Sequence, residues 1–262
     1  QGGHLRERSP RSGALRSPVI DPTEETLNVT LEALTQPESP QEAHPAILHR
    51  NDDLPCVVHA DASGVYWLAH RPSGTNEGHP ILAHHAHVFG GLNTAEVWWE
   101  EPNLAGVGTW ERGSYAMASD DTHVYWTGLV APNVSALWRI HKEALVVEEL
   151  VRDLSEDDPS IPLDMLVTDE AVFWIDKWTG EIVRWNKESE DTTIIHDMVA
   201  PSSLERVGDT LAVISSAGYN MVTMDTDGSN VREVFAWWQT PSLDCDLGAA
   251  ASDGERVYFG CS

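Results

Sequence analysis

Five times in the chain an acidic turn is followed by an aliphatic residue and a pair of mostly bulky apolar ones. That recurrence restricts the fold more than any other feature. It reads Asp61-Ala-Ser-Gly-Val65-Tyr66-Trp67, then Asp120-Asp-Thr-His-Val124-Tyr125-Trp126, then Asp169-Glu-Ala-Val172-Phe173-Trp174. A worn copy follows as Asp209-Thr-Leu211-Ala212-Val213, and the last is Asp253-Gly-Glu-Arg-Val257-Tyr258-Phe259. The phrases start at 65, 124, 172, 211 and 257, at intervals of 59, 48, 39 and 46 residues. Around the third copy the whole unit is legible. Leu163 to Thr168 alternates as a strand, Val172 to Asp176 is a second, Glu181 to Asn186 a third and Thr192 to His196 a fourth. Asp169-Glu170 and Trp178-Thr179-Gly180 supply the turns, so one repeat predicts one antiparallel sheet of four short strands. Copy four repeats the later half, with Asp227-Gly228 as a hairpin signal between Tyr219 to Met224 and Val231 to Phe235.

Strand-built units recurring every 40 to 50 residues have the period of β-propeller blades. The expected fold is therefore all-β, a propeller of four-stranded antiparallel blades. Residues 172–185, Val-Phe-Trp-Ile-Asp-Lys-Trp-Thr-Gly-Glu-Ile-Val-Arg-Trp, resemble the YWTD-type repeat of six-bladed propellers. Asp225-Thr-Asp-Gly-Ser-Asn-Val-Arg-Glu-Val resembles the TolB-like version of the same unit. The resemblance covers about 55–262 and implies architecture; propellers of this type serve as receptors, scaffolds, lactonases, lyases and periplasmic partners, so activity has to come from a site. Blades are expected at about 55–115, 116–162, 163–204 and 205–244, with the first hairpin of a fifth at 245–262. Six blades need more chain than that. Two explanations are open: residues 46–49 supply an outer strand that closes the ring, or the chain stops mid-ring.

Residues 1–45 read differently. Arg6, Arg8, Arg11 and Arg16 stand in a Ser/Pro/Gly-rich opening with only Glu7 opposing, followed by a Pro- and Glu-rich stretch. This is the composition of a disordered N-terminal arm or linker. The whole chain carries 42 acidic against 16 basic residues, a net charge of −26, which repels phosphate backbones and argues against nucleic-acid partners. No run of 18 apolar residues predicts a membrane span.

Four groups of residues are candidates for chemistry. His84, His85 and His87 lie in a histidine-rich run, where an i, i+2 pair could hold a metal through neutral imidazoles. No Cys or acid sits beside them to complete a shell, so a polar insertion in the first blade explains them more simply. The recurring aspartates could ring an axial metal, but repetition at one structural position argues for turn capping. The Val-Tyr-Trp triplets read as filling between blades. Trp98-Trp99-Glu-Glu-Pro102 and Trp237-Trp238-Gln-Thr-Pro241 share a spacing just after an outer strand, in the connections where binding loops lie. Adjacent tryptophans on an extended chain cannot both point inward. Each pair should leave one ring partly exposed, either to stack on a ligand or to cover a blade interface.

Cys245 and Cys261 are each eight residues from Asp253, and symmetry about that turn predicts a disulfide between them, with Cys56 outside it. Such a bridge implies an oxidising compartment. No nucleophile elbow, zinc-protease or phosphate-loop motif is present, and no cofactor is expected. The reading is a non-enzymatic binding or protein-interaction module that is periplasmic, cell-surface or secreted. Its partner would be a protein, a carbohydrate or a small molecule on the loop face. The alternative is a lactonase-like propeller hydrolase or lyase with an axial metal.

Overall fold

The computed structural model divides the chain into two units, Gln1–Pro45 and Ala46–Ser262. It describes residues 54–71, 79–86, 96–100, 116–131, 134–152, 162–216, 220–236 and 247–261. All the secondary structure among these is β. The first sheet is β1 (Leu54–Asp61), β2 (Gly64–Arg71), β3 (His79–Ala86) and β4 (Glu96–Glu100). The second is β5 (Met117–Ser119), β6 (His123–Ala131), β7 (Val134–His141) and β8 (Val147–Arg152). The third is β9 (Pro162–Val167), β10 (Ala171–Asp176), β11 (Glu181–Asn186) and β12 (Thr192–Asp197). The fourth is β13 (Pro201–Val207), β14 (Thr210–Ser215), β15 (Asn220–Asp225) and β16 (Arg232–Ala236). A two-stranded sheet of β17 (Leu247–Ser252) and β18 (Val257–Cys261) follows. Each four-stranded sheet is an antiparallel meander in chain order, so the repeat and the blade coincide. No helix among the described residues is long and apolar enough to cross a membrane.

Turn chemistry sets the hairpins. In the β15–β16 turn Gly228 takes φ +84°, and its N–H donates to the Asp225 carbonyl. An added Cβ there would also meet the Ile195 carbonyl oxygen at 2.3 Å, so glycine is required twice over. In every blade the pairing of third and fourth strands carries one register shift, at Leu82/Ala83, Leu137/Trp138, Ile182/Val183 and Met221/Val222. A bulge at that point adds twist and turns the outer strand relative to the inner ones.

The triplets explain how blades pack. Tyr66 of blade one is buried in a cluster with Val124 and Trp126 of blade two. Tyr125 of blade two is buried with Val172 and Trp174 of blade three, and Phe173 of blade three with Leu211 and Val213 of blade four. Alternation along a strand sends the middle residue to one face and its flanking neighbours to the other. Each seam therefore joins the middle aromatic of one copy to the flanking pair of the next. The first strands also meet in succession, β1 on β5, β5 on β9, β9 on β13 and β13 on β17. They form the inner edge of the array.

The last hairpin departs from the expected symmetry. Ser252 pairs with Val257 and Ala251 with Tyr258, so the ladder is centred between Gly254 and Glu255 rather than on Asp253. After a bulge, Leu247 stands opposite Cys261. The position facing Cys261 is thus two residues beyond Cys245, which lies outside the described residues, as do residues 46–49.

Candidate functional site

Three of the recurring aspartates cap their turns. Asp61 Oδ1 accepts the Ser63 N–H at 2.7 Å, Asp120 Oδ1 the Thr122 and His123 N–H groups at 2.8 and 2.7 Å, and Asp253 Oδ1 those of Glu255 and Arg256. Asp169 and Asp209 are exposed, and Thr168 Oγ1 closes the third turn instead by accepting the Ala171 N–H. Two of the three caps have a further task. Lys142, directly after β7, reaches back to Asp61 Oδ2 of the preceding blade at 2.6 Å. Lys187, directly after β11, reaches back to Asp120 Oδ2 at 2.6 Å. The ammonium groups lie 5.7 Å and 5.1 Å from the centres of the Tyr66 and Tyr125 rings. Burial pushes the Asp61 carboxyl up, but hydrogen bonds from Lys142, Ser119 and Ser63 outweigh it and hold Asp61 well below the usual carboxylate range. Asp120 is held down likewise, with Lys187 first among its donors after the opposing effect of burial. Two of only three lysines in the chain are therefore interblade clasps. Composition alone gave them no role.

The inner strands enclose a cavity of about 380 Å³. Its wall takes Val58 and His59 from β1, Met117 and Ser119 from β5, Asp164 and Met165 from β9, and Leu204 and Glu205 from β13. Sequence reasoning did not single out this group, because each polar member stands on a different strand with no local motif. His59 Nε2 lies 2.9 Å from Ser119 Oγ, and Ser119 Oγ donates to Asp61 Oδ2. A carboxylate only accepts, so the serine proton goes to Asp61 and His59 Nε2 must donate to the serine. That order is the reverse of what a serine nucleophile with a histidine base requires. Burial lowers the His59 pKa against the opposing charge of Asp61.

Asp164 ties β9 to β13: its Oδ2 accepts the Leu204 N–H at 2.8 Å and the Ser203 hydroxyl at 3.2 Å, and its Oδ1 accepts the Met165 N–H. Burial, followed by the charge of Asp164, pushes Glu205 up to about 7. A raised carboxyl binds its proton more tightly in the folded chain. Its stabilising contribution is complete below the unfolded value, about 4.3, and is lost as pH rises toward 7. Glu205→Gln should therefore leave stability nearly unchanged at about pH 3.5 and raise it at pH 8 by about 1 kcal/mol, a figure reduced for partial exposure. Urea denaturation at the two pH values checks this.

The residues singled out from sequence lie elsewhere. Trp98 and Trp99 sit within β4, not in the connection after it. Both are half-buried, with Trp98 edge-on to Tyr66 at 5.4 Å and Trp99 5.4 Å from Trp126. Trp237 and Trp238 lie outside the described residues. His84 is buried between Tyr66 and Trp98, at 4.8 and 4.2 Å, while His85 follows it on the opposite face of β3 and His87 lies outside the described residues. No group of three or more potential metal ligands occurs among the described residues. A more exposed aromatic escaped notice: Trp178, in the β10–β11 turn, is 58% exposed, with Lys177 over its ring at 5.7 Å.

Comparison with known proteins finds no matching family model and no matching curated protein. Solved structures do match. A puromycin-hydrolyzing peptidase of Mycobacterium tuberculosis aligns with 77% of this chain and 33% of its own, at 14% identity and a TM-score of 0.51. With the blade order above, that likeness decides the architecture. The chain is a β-propeller. Two further structures resemble the propeller at lower scores. TolB from Acinetobacter baumannii matches at 13% identity over 76% of this chain and 48% of its own, TM-score 0.47. A chain of the nidogen/laminin complex matches at 12% over 78% and 84%, TM-score 0.46. The propeller thus spans about half of the TolB chain and a third of the peptidase chain.

Proposed function

We propose that this propeller is a non-enzymatic binding module that works outside the cytoplasm and seats its ligand in the cavity between the first strands. The observation that carries the reading is the cavity wall itself. Four blades contribute to it, and it mixes apolar side chains with a few convergent polar groups, the composition of a recognition site. The Ser119–His59 contact supports binding over hydrolysis, because the serine proton is committed to Asp61. The hydrolase alternative finds its strongest support in Glu205, a half-buried carboxyl poised near neutrality. Asp164 beside it is occupied by three strand donors and offers little to a metal.

Val58 tests the assignment. It lines the cavity yet is 62% exposed, so Val58→Trp should fill the space at small cost in stability. Thermal-shift screening against amines, sugars and short peptides should find stabilising compounds for the parent chain that Val58→Trp no longer recognises. Compounds that stabilise both equally would remove the cavity as the site.

The compartment rests on the proposed Cys245–Cys261 bridge, which now requires the chain to shift beyond Leu247, since diagonal neighbours stand about 7–8 Å apart. Peptide mapping of natively isolated protein without reductant should recover the two cysteines as one linked species. Recovery of both as alkylated thiols would withdraw the bridge and the oxidising compartment together.

A further inference from the structure

The propeller treats its partly buried carboxylates unequally. Asp61 and Asp120 each receive a lysine from the following blade. No ion pair to Asp164 or Glu205 occurs among the described residues. Asp164 spends its oxygens on Leu204, Ser203 and Met165. Glu205 on β13 lines the cavity and accepts the Ser252 backbone N–H, one bond out of a carboxylate's several acceptor sites. The apolar part of the wall is exposed at Val58, while Met117 and Met165 border the cavity from the adjoining seams, 7% and 5% exposed, and none of the three carries a positive charge. The net charge of −26 adds a field that concentrates cations at any opening.

Resting on the binding reading above, we infer that the cavity receives an organic cation, an alkylammonium or guanidinium group, with its charged end on Glu205 and its alkyl part against Val58. The structure holds two of its seams with built-in ammonium groups, and the cavity accepts the same chemistry from outside. A free amine and the side chain of a basic partner protein offer that chemistry equally.

The test uses the full chain carrying ¹³C-methyl methionine, with Met117 and Met165 as reporters. Three probes are titrated: n-butylammonium, acetyl-Gly-Lys-Gly-amide, and 1-pentanol as a neutral counterpart. Both reporter signals should shift with butylammonium at a Kd at least about tenfold below that for pentanol, and Glu205→Gln should abolish that preference. A shift with the peptide as well assigns a protein side chain as an admissible source; a shift with butylammonium alone assigns a free amine. Equal affinity for charged and neutral probes, or a preference that survives in Glu205→Gln, overturns the cation inference while leaving the binding reading intact. Reporters that move with none of the probes remove both.

Discussion

Asp61→Ala should destabilise the propeller by about 3 kcal/mol, far more than an exposed salt bridge is worth. The Lys142 and Asp61 side chains are only 11% and 20% exposed, so removing the carboxylate leaves a desolvated ammonium beside the Tyr66 ring without this counter-charge, its bond to the Asp120 carbonyl remaining. The Ser119 hydroxyl and the Ser63 N–H lose their acceptor in the same step. Lys142→Met should be milder, because the remaining carboxylate keeps its serine and backbone donors, and an Asp61→Asn/Lys142→Met pair should recover part of the loss. The pH dependence follows from the sign of the shift. Asp61 is depressed in the folded chain, so its contribution is complete above the unfolded value of about 3.9 and fades as pH falls below it. Parent and Asp61→Ala should therefore converge in acid. Chemical denaturation at pH 7 and pH 3 measures both effects, and a difference that persists unchanged at pH 3 would mean the side chain acts by packing alone.

Trp126→Ala should cost about 3–5 kcal/mol, the range for a buried aromatic truncated in a well-packed core. The indole is 1% exposed and stands 5.4 Å from Trp99 and 6.0 Å from Trp138, so its loss opens a cavity among the aromatic rings of the first seam. Trp126→Phe should cost much less than its size suggests. The indole Nε1 is buried without a hydrogen-bond partner, and phenylalanine removes that unsatisfied donor along with part of the ring. Urea unfolding of the two variants separates area from hydrogen bonding; equal losses would show that the indole nitrogen contributes after all.

The fold was legible because turn residues and alternation mark the same boundaries. Glu181–Asn186 is a strand in both the sequence reading and the structure, since Thr179-Gly180 stops the chain before it and a polar turn stops it after. Trp98 and Trp99 were misassigned because β4 is five residues long, and two adjacent tryptophans break the alternation that would have identified it as a strand. The clasps stayed hidden for a different reason. Lys142 and Asp61 are 81 residues apart and Lys187 and Asp120 are 67 apart, so neither pair leaves a local pattern. The available signal was positional: both lysines stand directly after a third strand, a register visible only once the repeats are aligned. The cavity was harder still, since His59, Asp164 and Glu205 converge only when four first strands meet.

The clasps also point in one direction along the chain. In both, the acceptor is made first and the cation belongs to the blade that follows, 81 and 67 residues later. A ribosome delivers this protein from its amino end. When Lys142 emerges, Asp61 has long been synthesised; when Lys187 emerges, so has Asp120. At these two seams each lysine therefore finds its acceptor already translated, and neither has to be held in reserve for a partner still to come.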